Sequence, residues 1–120
     1  MEITQRAVGD VTVLTLKGRI VAEDGDALRT IVDALVQQGR VKLLLDLQEV
    51  TYIDSSGLGL LVSKYVSARR RGGDVKLLHL TARSSHLLAI THLTEVFSLF
   101  ESEEDAIRAF ASSTFQTHTV

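Results

Sequence analysis

The sequence predicts one α/β domain built on a mixed β-sheet. A chain of 120 residues with 45% hydrophobic content is long enough for a single ordinary core. Its strand-like and helix-like apolar patterns follow the order β-β-α-β-α-β-α-β-α. Strands that are joined through helices pair in parallel by right-handed crossovers, whereas the two opening strands form an antiparallel hairpin. The expected sheet is therefore largely parallel, with antiparallel character at its start.

The opening hairpin consists of two strands predicted at residues 2–8 and 11–17. Valine, leucine and threonine dominate the second run, and this composition favours strands. Gly9 and Asp10 lie between the two runs and indicate a short turn. Gly18 marks the predicted end of the second strand.

The first helix is predicted from Asp26 to Gln38. Its apolar residues recur at i, i+3, i+4, i+7 and i+8, which places them on a single stripe. Asp24 or Asp26 can cap the start of this helix, and Gly39 can occupy the position that follows its end. The stripe consists of Leu28, Ile31, Val32, Leu35 and Val36.

The centre of the sheet is predicted at Val41–Leu47, which is a nearly continuous apolar run. Such a run is typical of a strand that is covered on both faces. A loop that holds Asp54 and Ser55 follows, and a second helix is predicted over residues 57–71. Two glycines directly after this helix stop it.

The last third of the domain contributes two strands and two helices. These elements are a strand at Val75–Leu80, a helix that Ser84 caps, an edge strand at Val96–Phe100 and a helix that follows the capping box Ser102–Asp105. Residues 112–120 are polar and aperiodic, so a disordered tail is predicted there. The predicted domain therefore spans residues 1–111.

Composition excludes several classes of protein. A net charge of −2 argues against a general nucleic-acid binder, which needs a basic face. The absence of cysteine excludes disulfides and thiol catalysis. No apolar run approaches the ~20 residues of a membrane span, and the first residues lack the layout of a signal peptide. We therefore expect a soluble cytoplasmic protein that neither binds nucleic acid nor inserts into a membrane.

No enzyme motif is complete in this chain. Neither Ser55 nor Ser56 has the flanking glycines of a nucleophile elbow, and Val62 stands where a dinucleotide fingerprint needs its third glycine. The four histidines lack the spacing of a structural zinc site. Asp46 lies in an apolar strand and needs a partner, for which a backbone amide or a loop hydroxyl is expected. We therefore expect no catalytic residue, no metal and no cofactor.

The segment Asp54–Gly59 leaves two interpretations open. In the first, Ser55 or Ser56 only caps the following helix, and the glycines allow a tight entry. In the second, the segment is also a recognition surface. Two glycines in a first turn each cost roughly 1 kcal/mol relative to alanine, which is easier to understand if another backbone approaches closely there. A hydroxyl at a helix N-terminus also lies where a phosphate is favoured.

The stretch from Leu43 to Gly59, L-L-L-D-L-Q-E-V-T-Y-I-D-S-S-G-L-G, resembles the signature of the STAS domain family. Within that family the chain is most similar to bacterial anti-sigma factor antagonists, and the resemblance covers roughly residues 2–111. It implies a mixed sheet with helices packed mainly on one side. It also implies a regulatory binding protein whose partner is an anti-sigma factor that is also a serine protein kinase.

The resemblance further implies which residues carry this function. The kinase would use ATP and magnesium to phosphorylate Ser55, the phosphorylated form would lose affinity for the partner, and a metal-dependent serine/threonine phosphatase would restore it. Family members often carry an aspartate at the position of Val21, so either its role here would shift to Glu23 or Asp24, or this protein would use a different partner. The remaining residues of the implied partner-binding surface are Asp54, Ser56, Gly57, Leu58 and Gly59.

Two alternative functions stay open at this point. A stand-alone STAS subunit of a lipid-transport ABC system, or a component of a stress-sensing scaffold, would keep the fold without the kinase chemistry. A third class is a small enzyme or nucleotide-binding protein, and an enzyme would need a catalytic constellation that the sequence does not display. Copurification with a membrane permease would favour the transport subunit, whereas capture of a kinase-fold protein would favour the antagonist.

Overall fold

The computed structural model describes the backbone of residues 1–119 and the side chains of residues 1–111. Five strands and four helices alternate along the chain, with 3₁₀ turns at Ala22–Asp24 and Leu93–Glu95. The strands are β1 (Glu2–Val8), β2 (Val11–Ile20), β3 (Lys42–Ile53), β4 (Asp74–Leu78) and β5 (Leu99–Phe100). The helices are α1 (Gly25–Gln37), α2 (Ser55–Arg70), α3 (Ala82–Ile90) and α4 (Glu103–Thr119).

The strands form one mixed sheet in the order β1-β2-β3-β4-β5. β1 pairs with β2 in antiparallel fashion, and the other neighbours are parallel. The prediction of a largely parallel sheet that opens with a hairpin is confirmed. The four parallel strands all end at one edge of the sheet, which we call the carboxyl edge.

Apolar side chains cover both faces of the central strand. Leu43, Leu45 and Leu47 pack into the larger cluster, to which α1, α2 and α3 contribute. Leu44 points the other way, into a smaller cluster with Ala106 and Phe110 of α4. Three helices therefore lie on one face and α4 on the other, so the predicted two-sided burial of β3 is confirmed.

β3 is longer than predicted, and this is the main error in the element boundaries. It continues to Ile53, so the predicted loop around residues 51–56 is the end of a strand and the start of a helix. The pairing with β2 contains two register shifts, because β3 has 12 residues where β2 has 10. Within the described residues, no strand pairs with β3 on its β4 side beyond Asp46. This part of the strand is therefore polar, and its sequence lacks the apolar pattern of a strand.

Two helices end in the same glycine-dependent motif. Gly39 follows α1 with φ +82°, and Gly72 follows the C-cap of α2 with φ +84°. In both motifs the next residue donates its N–H to a carbonyl five positions earlier, at 2.9 Å. Gly73 must also lack a side chain, because a Cβ there would lie 2.0 Å from the Val41 carbonyl oxygen. The predicted helix stops are confirmed.

Two predicted details in the last third are wrong. Thr81, rather than Ser84, is the N-cap of α3, since its Oγ1 accepts a hydrogen bond from the Ser84 N–H at 3.1 Å. Ser84 is buried inside the helix. The edge strand contains only Leu99 and Phe100, and Phe97 packs in the larger cluster outside it.

The last helix begins as predicted. Ser102 Oγ accepts a hydrogen bond from the Asp105 N–H at 3.3 Å, which is one half of a capping box. The backbone is helical to Thr119, whereas an irregular tail was predicted from residue 112. The side chains of residues 112–119 and all of Val120 lie outside the described residues, so disorder of the tail stays a prediction. Within the described part of the chain, no helix is long and apolar enough to cross a membrane.

Candidate functional site

The site lies at the carboxyl edge, where β2 and β3 end side by side. Ile20 and Ile53 are register partners at the ends of the two strands. Asp54 is the one residue between β3 and α2, and its N–H donates to the Ile20 carbonyl oxygen at 3.3 Å. The start of α2 is therefore attached to both strands.

The N-cap of α2 is Asp54 rather than a serine. Its backbone is extended, and its Oδ1 accepts a hydrogen bond from the Gly57 N–H at 2.7 Å. This is the position and bond of a helix cap. The interpretation in which Ser55 or Ser56 caps the helix is therefore wrong. Asp54 therefore supplies the side-chain oxygen that caps α2.

Ser55 and Ser56 are the first two residues of α2, and both are exposed. Among the described residues, neither hydroxyl has a hydrogen-bond partner in the protein. The first N–H groups of a helix carry partial positive charge, and no acidic residue lies in this first turn. The result is a free hydroxyl at a position where an added phosphate is electrostatically favoured.

The two glycines of the first turn have different causes. A Cβ at Gly57 would lie 1.9 Å from the Ile20 carbonyl oxygen, so only glycine lets the helix approach β2 this closely. The backbone that approaches Gly57 closely is therefore the Ile20 backbone of this protein and not that of a partner. A Cβ at Gly59 would meet no atom of the described residues within 4 Å, and Gly59 is exposed. Packing inside the chain therefore explains Gly57 but not Gly59.

Other contacts of α2 are directed into the protein. Leu58 packs in the larger cluster, so it supports the site from inside the fold. Lys64 is nearly buried, and its Nζ lies 2.7 Å from Asp33 Oδ1 of α1. Gly25 at the start of α1 is also close to α2, because its Cβ would lie 3.1 Å from Leu60 Cδ2. These contacts fix α2 against α1.

The 3₁₀ turn after β2 contributes the second acidic segment of the site. Glu23 is exposed and Asp24 is half-buried, and both lie within five residues of Ile20. Asp24 Oδ2 lies 3.7 Å from an Arg19 guanidinium nitrogen. Val21 is only 4% exposed, so this side chain faces the core. The structure brings this turn and the start of α2 to the same edge through Ile20.

Asp46 lies on the face of α4, beside the end of β4 and seven residues before Ile53. Its Oδ1 accepts a hydrogen bond from the Gln48 N–H at 3.1 Å, which confirms the expected backbone partner. Its second partner is His79 Nδ1 at 3.3 Å, which the sequence does not predict. His79 directly follows β4 and has a left-handed conformation with φ +55°. Within the described residues, no group of three histidine, aspartate or glutamate side chains could hold a metal ion.

Arg6 of β1 and Glu103 of α4 form an ion pair on the same face, with Arg6 Nη1 3.0 Å from Glu103 Oε2. The side-chain hydrogen bond from Arg6 lowers the pKa of Glu103, against the opposing effect of partial burial. The same hydrogen bond raises the pKa of the Arg6 guanidinium. This pair attaches the start of α4 to the edge strand of the sheet.

Comparison with known proteins identifies the family to which this fold belongs. The family model of the STAS domain matches residues 2–106. The anti-sigma-B factor antagonist of Bacillus subtilis is 30% identical over 95 residues, which cover 79% of this chain and 86% of the relative. The chain belongs to the STAS domain family.

Two solved structures share the fold. An anti-sigma factor antagonist from Mycobacterium paratuberculosis superposes with a TM-score of 0.81 at 23% identity, and the match covers 92% of this chain and 93% of that one. The Bacillus cell fate determinant SpoIIAA, solved in its phosphorylated form, matches with a TM-score of 0.72 at 19% identity. That match covers 90% of this chain and 98% of SpoIIAA.

Proposed function

We propose that this protein is a cytoplasmic anti-sigma factor antagonist that is switched by phosphorylation of Ser55. Its partner is an anti-sigma factor that is also a serine protein kinase, and binding of that partner releases a sigma factor. The observation that carries the proposal is the exposed Ser55 hydroxyl at the start of a helix that Asp54 caps. The names of the family relatives support the class of partner.

The phosphorylation step needs only the Ser55 side chain from this protein. The Ser55 oxygen attacks the γ-phosphorus of the ATP that the kinase holds with magnesium, and ADP leaves. The new bond joins Oγ to phosphorus, the bond to the β-phosphate oxygen breaks, and the hydroxyl proton passes to a base of the kinase. Hydrolysis of the phosphoester by a metal-dependent serine/threonine phosphatase restores the free hydroxyl.

The charge of the phosphate explains how the switch acts. Phosphoserine carries about −1.5 to −2 charges at neutral pH. The neighbouring Asp54 carboxylate cannot turn away from it without losing the bond to the Gly57 N–H. A partner surface that fits a neutral hydroxyl beside a carboxylate would have to bury this added charge without a counter-ion. The phosphate is tolerated in the free protein, because the helix dipole favours it.

The other proposed contact residues surround Ser55 at the carboxyl edge. Ser56 and Gly59 are exposed on the first turn of α2, and Glu23 is exposed on the adjacent 3₁₀ turn. Asp24 is half-buried and acts beside Glu23. Gly57 and Leu58 are buried, so they contribute by holding the helix start in place. The solved phosphorylated SpoIIAA supports the proposal, since a phosphorylated protein adopts this fold.

The test uses the purified anti-sigma factor kinases of the host with ATP and magnesium. One of them should transfer a single phosphate to the wild-type protein and to Ser56→Ala, but none to Ser55→Ala. Ser56→Ala is a matched control, because it removes the neighbouring exposed hydroxyl from the same turn. The phosphomimetic Ser55→Asp should bind the kinase more weakly than wild type does. Equal phosphorylation of Ser55→Ala and wild type would exclude Ser55 as the switch.

A further inference from the structure

An exposed tyrosine lies directly before the proposed switch. Tyr52 belongs to β3 and is 45% exposed, although it is a large and partly apolar side chain. Among the described residues, its ring and its hydroxyl make no hydrogen bond or ring contact. Packing inside the chain therefore does not explain why a tyrosine stands here.

The orientation of Tyr52 follows from its neighbours. Ile53, the next residue along β3, packs into the larger cluster beneath α1, α2 and α3, and Val50 also packs there because a register shift inserts the extra residue Thr51 before Tyr52. Since adjacent residues of a strand point to opposite faces, Tyr52 points toward the face of α4. α4 packs around Leu44, and Tyr52 lies eight residues further along β3, or roughly 26 Å away at the rise of an extended strand. Tyr52 therefore lies well beyond the part of this face that the described side chains of α4 cover.

Chain geometry places Tyr52 within reach of any protein that grips Ser55. The Cα atoms of these two residues are at most about 11 Å apart, because three peptide units of about 3.8 Å join them. A standard interface covers about 800 Å² on each partner, which corresponds to a circle of about 16 Å radius. A kinase that forms such an interface around Ser55 therefore extends far enough to reach Tyr52.

Arg19 gives this surface a second side chain of a kind that interfaces favour. It is the register partner of Tyr52 on β2, and its side chain is 60% exposed. Arg19 also lies 3.7 Å from Asp24, so it joins the tyrosine to the proposed contact residues of the 3₁₀ turn. Tyrosine and arginine are the residue types, with tryptophan, that most often dominate binding energy. The other large exposed apolar side chains of residues 1–111 are Val66, Ile90, Val96 and Leu99.

We propose that Tyr52 is an anchor residue for the kinase-type anti-sigma factor and that Arg19 flanks it in the same contact. This inference rests on the proposed function and extends it from Ser55 to the adjoining end of the β2–β3 pair. The partner lies over the carboxyl edge and contacts both the first turn of α2 and the sheet face beyond α4. Docking there sets how tightly the kinase binds its substrate, whereas Ser55 alone undergoes the chemistry.

The test measures KM and kcat for phosphorylation of Ser55 by the purified host kinase that phosphorylates the wild-type protein. Tyr52→Ala should raise KM by at least about tenfold and leave kcat within about twofold, because an anchor in the docking contact is lost. Tyr52→Phe should stay within about threefold of wild type, since it keeps the ring. The control Ile90→Ala removes the most exposed of these apolar side chains, at the end of α3, and should change neither constant.

A second measurement keeps the inference testable if Tyr52→Ala folds poorly. A photo-crosslinking amino acid at position 52 should link the protein to the same kinase, and the same group at position 90 should not. An unchanged KM for a folded Tyr52→Ala, or equal crosslinking from both positions, would overturn the role of Tyr52 and leave Ser55 as the switch. If no host kinase phosphorylates the wild-type protein, the proposed function fails, and this inference fails with it.

Discussion

Replacement of Gly57 by alanine tests how tightly α2 is seated on the sheet. The new Cβ would lie 1.9 Å from the Ile20 carbonyl oxygen, whereas ordinary contacts begin at 3.4 Å. The difference, 3.4 − 1.9 = 1.5 Å, must be met by backbone movement, because the clashing atom belongs to the main chain. Such a shift also strains the bond from the Asp54 N–H to the same oxygen. We expect a loss of about 3 kcal/mol in the free energy of unfolding.

Gly59→Ala is the matched control, two residues further along the same helix. Its Cβ would meet nothing within 4 Å, so the lower backbone entropy of alanine in the unfolded chain should dominate. We expect a gain of about 0.5–1 kcal/mol. Urea denaturation gives both free energies, and thermal melting should shift by roughly 4 °C per kcal/mol. Equal effects of the two substitutions would refute the assigned close approach.

Three further predictions concern capping and charge. Asp54→Ala should lower the free energy of unfolding, measured by urea denaturation, by about 1 kcal/mol. Asp54→Asn should stay within a few tenths of a kcal/mol of wild type, because asparagine also caps helices. Equal stability of the two variants would contradict the cap. Thr81→Ala should lower the free energy of unfolding by about 1 kcal/mol, and Thr81→Ser should retain most of the wild-type stability. If Thr81→Ala leaves the stability unchanged, Thr81 does not cap α3. Since Arg6 lowers the pKa of Glu103, their pair stabilises the fold above about pH 4.5 and loses this effect as the pH falls through the lowered pKa. Glu103→Gln should therefore weaken the decline in unfolding free energy on acidification, and an unchanged decline would contradict the pair.

The regular elements could be predicted because the apolar pattern determines them. The stripe of α1 faces the larger cluster, and the apolar run at the start of β3 is buried on both faces. Glycines directly after α1 and α2 marked the helix ends, because only glycine adopts their left-handed conformation without strain. The segment from Asp54 to Gly59 could be recognised because it lies between a strand-like run and a helical pattern and carries the residues of the family signature.

The parts that could not be predicted depend on contacts between distant segments. The polar end of β3 lacks a strand-like apolar pattern, and only its pairing with β2 keeps it extended. The reason for Gly57 is a carbonyl of Ile20, which is 37 positions earlier in the chain (57 − 20 = 37). The choice of Asp54 over a serine as the cap depends on local geometry that residue types alone leave open. Likewise, His79 meets Asp46 only because β3 and β4 pair in parallel.

The separation of roles within one turn fits a binding protein that is switched without refolding. Asp54, Gly57 and Leu58 hold the start of α2, whereas Ser55, Ser56 and Gly59 face outward. A charge added to Ser55 therefore changes the surface that a partner meets and leaves the supporting contacts in place. In the proposed switch, the free energy of unfolding should change little on phosphorylation, whereas the affinity for the partner should fall.

Phosphopeptide mapping of the protein isolated from growing and from stressed host cells tests the central claim most directly. We expect a single phosphate on Ser55 whose occupancy changes between the two conditions, with no phosphate on the adjacent Ser56. A protein that carries no phosphate on Ser55 in either condition would contradict the proposed switch. Ser55 would then be an exposed residue of a docking surface that works without phosphorylation.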